Sequence, residues 1–262
     1  MPGFTALAYN LYFGGTGREA EIAAVLAHSA PDVAALTEAD DPGVVERLAA
    51  RAGMQFVWGR GSGDRHIALL SRHPVREWRV HNHPPLTQAA LAATIEAPGF
   101  GPLTVVAVHL LPYLLLPFEI RRWQAVGKLL EIIRQDSPGP HLILGDLNAI
   151  APGDRVLQRN NPAKMRRVMA LQAGLIFRLA IPRLLRAGYV DCYRARHNDD
   201  GFTWMTGNPT TRYDYVFASP DLAAHLRACR VLDDHPAVGA ASDHYPLLAR
   251  FEWGGEQADG RG

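Results

Sequence analysis

Asn10, Glu38, His109, Asp146, Asn148, Asp214, Asp243 and His244 each interrupt an otherwise apolar run, and each falls at the end or edge of a stretch that reads as a β-strand. The run LILGDLNAI at 142 to 150 is the plainest case. Leu142, Ile143 and Leu144 should lead into a turn, and they end on a carboxylate and a carboxamide directly after Gly145. A buried carboxylate without a partner is expensive, so several of them converging require a cation or protonated histidines in compensation. Glu38, Asp146 and Asp243 could hold a hard divalent cation through oxygen. Mg²⁺ suits such a site because it keeps waters and takes few protein carboxylates. Singly, each residue has a plainer role: Asn10 in a turn, Glu38 capping the next helix, His109 hydrogen-bonded in the core, Asp214 paired with Arg212, Asp243 bending the chain.

The elements that must position these residues alternate along the whole chain. TALAYNLY, DVAALTEA, LTVVAVHLL, HLILGDLNA, RYDYVFAS and HYPLLARFEW read as strands, and REAEIAAVLAHSA and PGVVERLAARAG as helices. A further helix opens at Pro117, with Trp123, Val126, Leu130 and Ile133 at helical spacing, and DLAAHLRAC reads as helix or loop. Many strands with helices between them imply sheets covered by helices on their outer faces.

The chain has 262 residues, 48% of them hydrophobic, and a formal net charge of +1. That balance excludes a dedicated basic nucleic-acid binder, so an anionic partner must be met by a local patch. No signal peptide is predicted, because no basic region precedes an apolar core in MPGFTALAYNLY, which reads as a strand, and no membrane span, because HLLPYLLLPF is short and broken by Pro112 and Pro117. Cys192 and Cys229 lack metal-type spacing and are expected to be buried thiols in a reducing cytoplasm. His81 and His83 in HNHPP have no third ligand nearby and read as an exposed loop.

One segment departs from the rhythm. From Arg155 to Arg186 there are eight basic residues, Arg166 and Arg167 among them, and no Asp or Glu. Interleaved apolar residues predict two basic amphipathic helices, bent near Gly174 and Pro182, as an insertion at about 152–188. The main domain is expected over 1–253, with 254–262 as a disordered tail.

AYN at 8 to 10, LTE at 36 to 38, ALLSRHP at 68 to 74, VHL at 108 to 110, GDLN at 145 to 148, FTW at 202 to 204, RYDYVFAS at 212 to 219 and SDH at 242 to 244 occur in this order. The combination resembles the endonuclease/exonuclease/phosphatase superfamily and covers nearly the whole chain. The resemblance implies an α/β fold, a four-layered sandwich of two mixed β-sheets flanked by helices, with GDLN at the floor of the site. It implies Glu38 as principal metal ligand, with Asn10 beside it and Asp243 completing the site. By the same resemblance Asp146 orients or deprotonates the attacking water, and Asn148 bonds the nucleophile or a phosphate oxygen. His244, held by Asp214, serves the phosphorus centre or the leaving oxygen, and His109 donates to a nonbridging oxygen. Two departures stand out: Thr37 precedes Glu38 where the family often has Gln, and His109 stands where abasic-site endonucleases usually carry Tyr.

The implied activity is a Mg²⁺- or Mn²⁺-dependent phosphodiester hydrolase, with nucleic acid as the first expected partner. Arg166, Arg167 and Arg212 would then meet phosphates, and Trp204 or Tyr113 would stack on a base. The alternative is a lipid or small-molecule headgroup hydrolase whose apolar and basic segment rests on an anionic bilayer. A binding module without catalysis is a third class, and the presence of Glu38, Asp146, Asn148 and His244 argues against it.

Overall fold

The computed structural model describes residues 3–86, 88–136 and 139–253, so the expected tail at 254–262 lies outside the described residues. Among the described residues twelve strands form two six-stranded mixed sheets. In the first, β11 (Leu226–Val231), β12 (Leu247–Glu252), β1 (Gly3–Asn10), β2 (Val33–Thr37), β4 (Ile67–Ser71) and β3 (Gln55–Gly59) lie side by side in that order. In the second the order is β5 (Val75–His81), β6 (Ala89–Ala97), β7 (Gly101–His109), β8 (His141–Asp146), β10 (Asp214–Ala218) and β9 (Val190–Asp191). Each sheet has one parallel pair at its centre, β1 with β2 and β7 with β8, and antiparallel neighbours elsewhere.

The central strands are apolar on both faces because both faces are covered. Phe4, Ala6, Val33, Leu91, Val105 and Leu144 fill the space between the sheets. Leu7, Leu36 and Leu70 face α1 (Glu19–Ser29) and α2 (Pro42–Ala52), while Val106, Ile143 and Phe217 face α3 (Leu116–Asp136) and α5 (Ala180–Arg186). The result is four layers, helix, sheet, sheet, helix. Truncating Leu144 to Ala in the middle layer is expected to cost about 2–5 kcal/mol.

Three readings of the elements need correction. LRACRV is strand β11, paired antiparallel with β12, although its Ala and Leu content favours helix; edge pairing overrides propensity there. In α3 the buried face is carried by Ala125, Val126, Leu129, Ile132 and Ile133, and Trp123 points outward, 39% exposed. The basic segment does contain two short helices, α4 (Ala163–Ala170) and α5, with Gly174 between them. Pro182 sits in the first turn of α5, where a missing N–H costs nothing, so it starts that helix and bends none. Cys192 and Cys229 are both buried and free. No helix among the described residues is long and apolar enough to cross a membrane.

Candidate active site

The parallel pairs present their C-terminal ends at the same edge of the sandwich. Asn10 is the last residue of β1, and Glu38 follows β2 at once. Pairing of β7 with β8 sets His109 beside Asp146, and pairing of β8 with β10 sets Asp214 on the other side of Asp146. Gly145 makes this possible. Its φ is +134°, and a Cβ there would lie 2.2 Å from the carbonyl oxygen of Val108.

The turn after β2 is held by α2. Asp41 caps that helix, its Oδ1 accepting from the backbone N–H groups of Gly43 (2.8 Å) and Val44 (3.4 Å), and Pro42 occupies the first turn. Glu38 is therefore free of capping, and its carboxylate turns into a cavity of about 230 Å³ that Asp146, Asn148, His109, Asp243 and His244 also line. Glu38 Oε2 accepts from the N–H of Phe13 at 2.8 Å and faces Arg65 Nε at 3.6 Å.

Asn10 donates its side-chain N–H to Asp146 Oδ2 at 3.0 Å, and its Oδ1 accepts from the N–H of Tyr12 at 2.8 Å. The amide orientation is fixed by that second bond, because a backbone N–H needs an oxygen. Asn10 thus turns a donor, not a ligand atom, toward the carboxylates, contrary to its expected place in the first coordination shell. Asn148, in left-handed backbone at φ +47°, donates its N–H to Asp146 Oδ1 at 2.8 Å and its side-chain N–H to the Leu110 carbonyl at 3.1 Å. Asp146 is held at both oxygens.

His244 Nδ1 is 2.8 Å from Asp214 Oδ2, and its Nε2 faces Asp146 Oδ2 at 3.9 Å and Asp243 Oδ1 at 4.0 Å. Burial alone would depress the imidazole, but the carboxylates of Asp214, Asp146 and Asp243 outweigh it and push His244 up to about 10. Burial, together with the Asp214 carboxylate, pushes Asp146 up to about 8. His109, buried and near the positive charges of His244 and Arg65, is pushed down to about 3 and is a neutral imidazole. Two histidines in one site thus hold opposite protonation states.

Asp146, Asp214 and His244 bring one ligand-type atom each within 4.8 Å of one another. Within that group His244 faces both carboxylates, Asp214 at 2.8 Å and Asp146 at 3.9 Å. Glu38 and Asp243 fit a hard cation better. Both line the cavity with carboxylate oxygens, and Asp243 Oδ1 is buried with no hydrogen-bond partner among the described residues, its Oδ2 accepting from Trp204 Nε1 at 3.1 Å.

Of the residues expected to touch substrate, Trp204 and Tyr113 line the cavity. Arg212 does not. It is wholly buried, bonded through Nε to Asp154 Oδ2 (2.9 Å) and through its two other nitrogens to Asp191 (2.8 and 2.7 Å), which corrects both its expected phosphate contact and its expected pairing with Asp214. Arg166 and Arg167 are exposed and outside the cavity lining; Arg166 donates to the Asn161 carbonyl at 2.7 Å. Arg65, Gln88 and Met165 line the cavity and carried no signal of their own in the sequence. Arg65 lies between two strands with no motif around it, and only the fold brings it over the ring of Phe13, 4.3 Å from its centroid. Thr37, the departure noted before Glu38, has a buried hydroxyl without a partner among the described residues.

Solved structures share this architecture. An endonuclease/exonuclease/phosphatase from Beutenbergia cavernae DSM 12333 superposes with a TM-score of 0.73 at 22% identity, over 97% of this chain and 72% of that one. A 3′ phosphatase, NExo, from Neisseria, solved bound to a product DNA hairpin, gives 0.72 at 21% identity, over 95% of this chain and 100% of that one. An AP endonuclease from Archaeoglobus fulgidus gives 0.73 at 18% identity, over 95% and 100%. At these identities the likeness concerns the fold. No curated protein matches the chain in sequence. The sequence model of the Endonuclease/Exonuclease/phosphatase family, however, matches residues 7–244 and so spans every residue of the cavity described above, and the chain belongs to that family.

Proposed function

We propose that this chain hydrolyses phosphodiesters with a divalent cation, Mg²⁺ or Mn²⁺, through direct attack of water on phosphorus. The observation that carries the reading is the His244–Asp214 pair aimed at Asp146, beside a cavity into which Glu38, Asp146 and Asp243 present their carboxylates. Glu38 and Asp243 would hold the cation, which when bound neutralises charge on the phosphoester and lowers its repulsion of the nucleophile. Asp146, oriented by Asn10 and by the backbone N–H of Asn148, accepts the proton of the attacking water. His244, kept charged by Asp214, gives its Nε2 proton to the leaving oxygen. His109, as a neutral imidazole, donates its one N–H to a nonbridging oxygen, and Asn148 lines the cavity beside it. Positioned acids and bases of this kind each contribute about 10²–10⁴ in rate.

Nucleic acid is the substrate class toward which the DNA-bound Neisseria protein and the Archaeoglobus AP endonuclease direct the reading, and Tyr12, Phe13, Tyr113 and Trp204 give the mouth ring faces on which a base can stack. A second reading, a phosphoester headgroup, is favoured by one side of that mouth: Pro112, Tyr113, Leu114 and Met165 make it apolar, and the basic segment expected to guide a strand spends Arg178 and Arg183 on backbone carbonyls.

Hydrolysis of bis(p-nitrophenyl) phosphate, plasmid DNA, single-stranded RNA and sphingomyelin, each with Mg²⁺, Mn²⁺ or EDTA, tests the proposal. Cation-dependent cleavage of a polynucleotide supports the first substrate class, and cleavage of the lipid or small diester alone supports the second. Inactivity on all four with either cation would overturn the reaction.

A further inference from the structure

Of the twelve large hydrophobic side chains exposed among the described residues, eight fall in two short segments, 113–123 and 171–185. On α3, Leu116, Ile120 and Trp123 recur at i, i+4 and i+7, which makes a continuous apolar stripe on its outward face, with Tyr113 just before it. Across from it Leu171 is 82% exposed and Leu175 59%, with Leu179 and Leu185 following.

The two segments are joined, and side-chain bonds fix the seam between them. Gln172 donates to the Leu114 carbonyl at 3.0 Å and to the Leu175 carbonyl at 2.7 Å. Glu119 Oε1 accepts from the N–H groups of Leu179 and Ala180, at 2.6 and 2.9 Å, and Arg183 stacks on Trp123, 4.2 Å from the ring centroid. The face reaches the cavity mouth, since Tyr113, Leu114 and Met165 line the cavity. An apolar patch of this extent beside a site marks a docking surface.

Charge identifies what docks. Arg121, Lys164, Arg167 and Arg186, within residues 113–123 and 164–186, are exposed as well. The only carboxylates in residues 110–130 and 147–190 are Glu119 and Asp154. Both are buried, the first paired with Arg122 and the second with Arg194 and Arg212. A second copy of this chain meeting the face isologously would set cation against cation with no exposed carboxylate from these segments to pair them. A bilayer with anionic headgroups answers both features at once, apolar side chains entering the acyl boundary while arginines meet phosphates.

We propose that residues 113–123 together with 164–186 form a docking surface for an anionic lipid bilayer, which sets the mouth of the catalytic cavity at the headgroup level. The surface is independent of the reaction assigned above, and its test needs no turnover.

The experiment is co-sedimentation of the full chain with vesicles of phosphatidylcholine alone and of phosphatidylcholine mixed with phosphatidylglycerol, at low and high salt, beside Leu171→Ser/Leu175→Ser and Arg121→Glu/Arg186→Glu variants. Binding to the mixed vesicles is expected, weak on phosphatidylcholine, reduced by salt, and lowered about tenfold or more by each variant pair. Unchanged thermal midpoints and unchanged hydrolysis of the soluble diester in both variants would keep the effect on the surface. Equal binding of wild type and variants, no binding of mixed vesicles at low salt, or a wild-type dimer that the leucine variant dissociates would overturn the proposal. Failure of hydrolysis with vesicle binding intact would strike the catalytic reading alone.

Discussion

Asp146 and Asp214 stand opposite each other in the antiparallel register of β8 and β10, so two buried carboxylates share one site and one imidazolium, His244, lies between them. Burial and Asp214 both push Asp146 up to about 8. Replacing Asp146 by Asn removes one of two like charges while keeping the shape. Asp146→Asn is therefore expected to lose turnover by at least about 10²-fold while its thermal midpoint holds or rises. Calorimetry beside the diester assay checks this; a folded variant with full activity would remove Asp146 from the reaction.

His244→Ala and Asp214→Asn should fail differently. The first removes the proton donor, and the second leaves an imidazole without the carboxylate that keeps it charged. Both are expected to lose about 10²–10⁴ in kcat, and a substrate with a better leaving group should rescue each of them in part. A loss expressed only in KM would assign the pair to binding.

Glu38 and Asp243 offer the oxygens for the cation. Glu38→Gln should weaken Mn²⁺ binding measured by titration calorimetry by tenfold or more, as one order of magnitude corresponds to about 1.4 kcal/mol. Asn10→Ala should affect kcat more than cation affinity, because its amide N–H contacts Asp146 while its oxygen is taken by Tyr12. The reverse pattern would return Asn10 to the coordination shell.

Arg212 is tied to Asp154 and Asp191 with no exposure to solvent. Arg212→Ala leaves two buried carboxylates short of their partner and is expected to cost about 3–5 kcal/mol in denaturant unfolding. The KM of the folded fraction should not move; a raised KM with unchanged stability would restore the phosphate contact expected from the sequence.

His141 opens β8 with Nδ1 2.7 Å from the Gly139 carbonyl and Nε2 2.6 Å from the Tyr189 hydroxyl. Burial lowers its pKa below the ordinary 6.5, so the folded state resists protonation more than the unfolded chain does. Its stabilising share is fully present above pH 6.5 and declines as the pH falls below that value. A His141→Gln variant should flatten the acid limb of the unfolding free energy by up to about 1.4 kcal/mol per pH unit. Identical acid limbs would rule this out.

Much of the fold was legible because its determinants are local. Apolar runs mark β1, β2, β7, β8, β10 and β12, and the pattern of PGVVERLAARAG marks α2, although Asp41 and not Glu38 caps it. β11 was read as helix or loop because its partner, β12, lies about twenty residues away and the pairing outweighs the propensity of its alanines. The basic segment shows the same limit. Its helices are local facts, whereas the use of Arg178 on the Ala151 and Asp154 carbonyls and the exposure of Leu171 depend on what the segment packs against.

The sequence by itself determined the inventory of the site: the residue types, their order, and their places at strand ends, all consequences of patterns a few residues long. Only the tertiary structure decided who partners whom. Asn10 reaches Asp146 across 136 residues, and Ser242 holds the Asn10 carbonyl across 232. Asp214 takes His244 and leaves Arg212 to Asp154 and Asp191, and Arg65 arrives at the mouth from a loop without a motif. Such choices follow from sheet register and from the cost of burying an unpaired charge, and both are properties of the assembled fold rather than of any stretch within it.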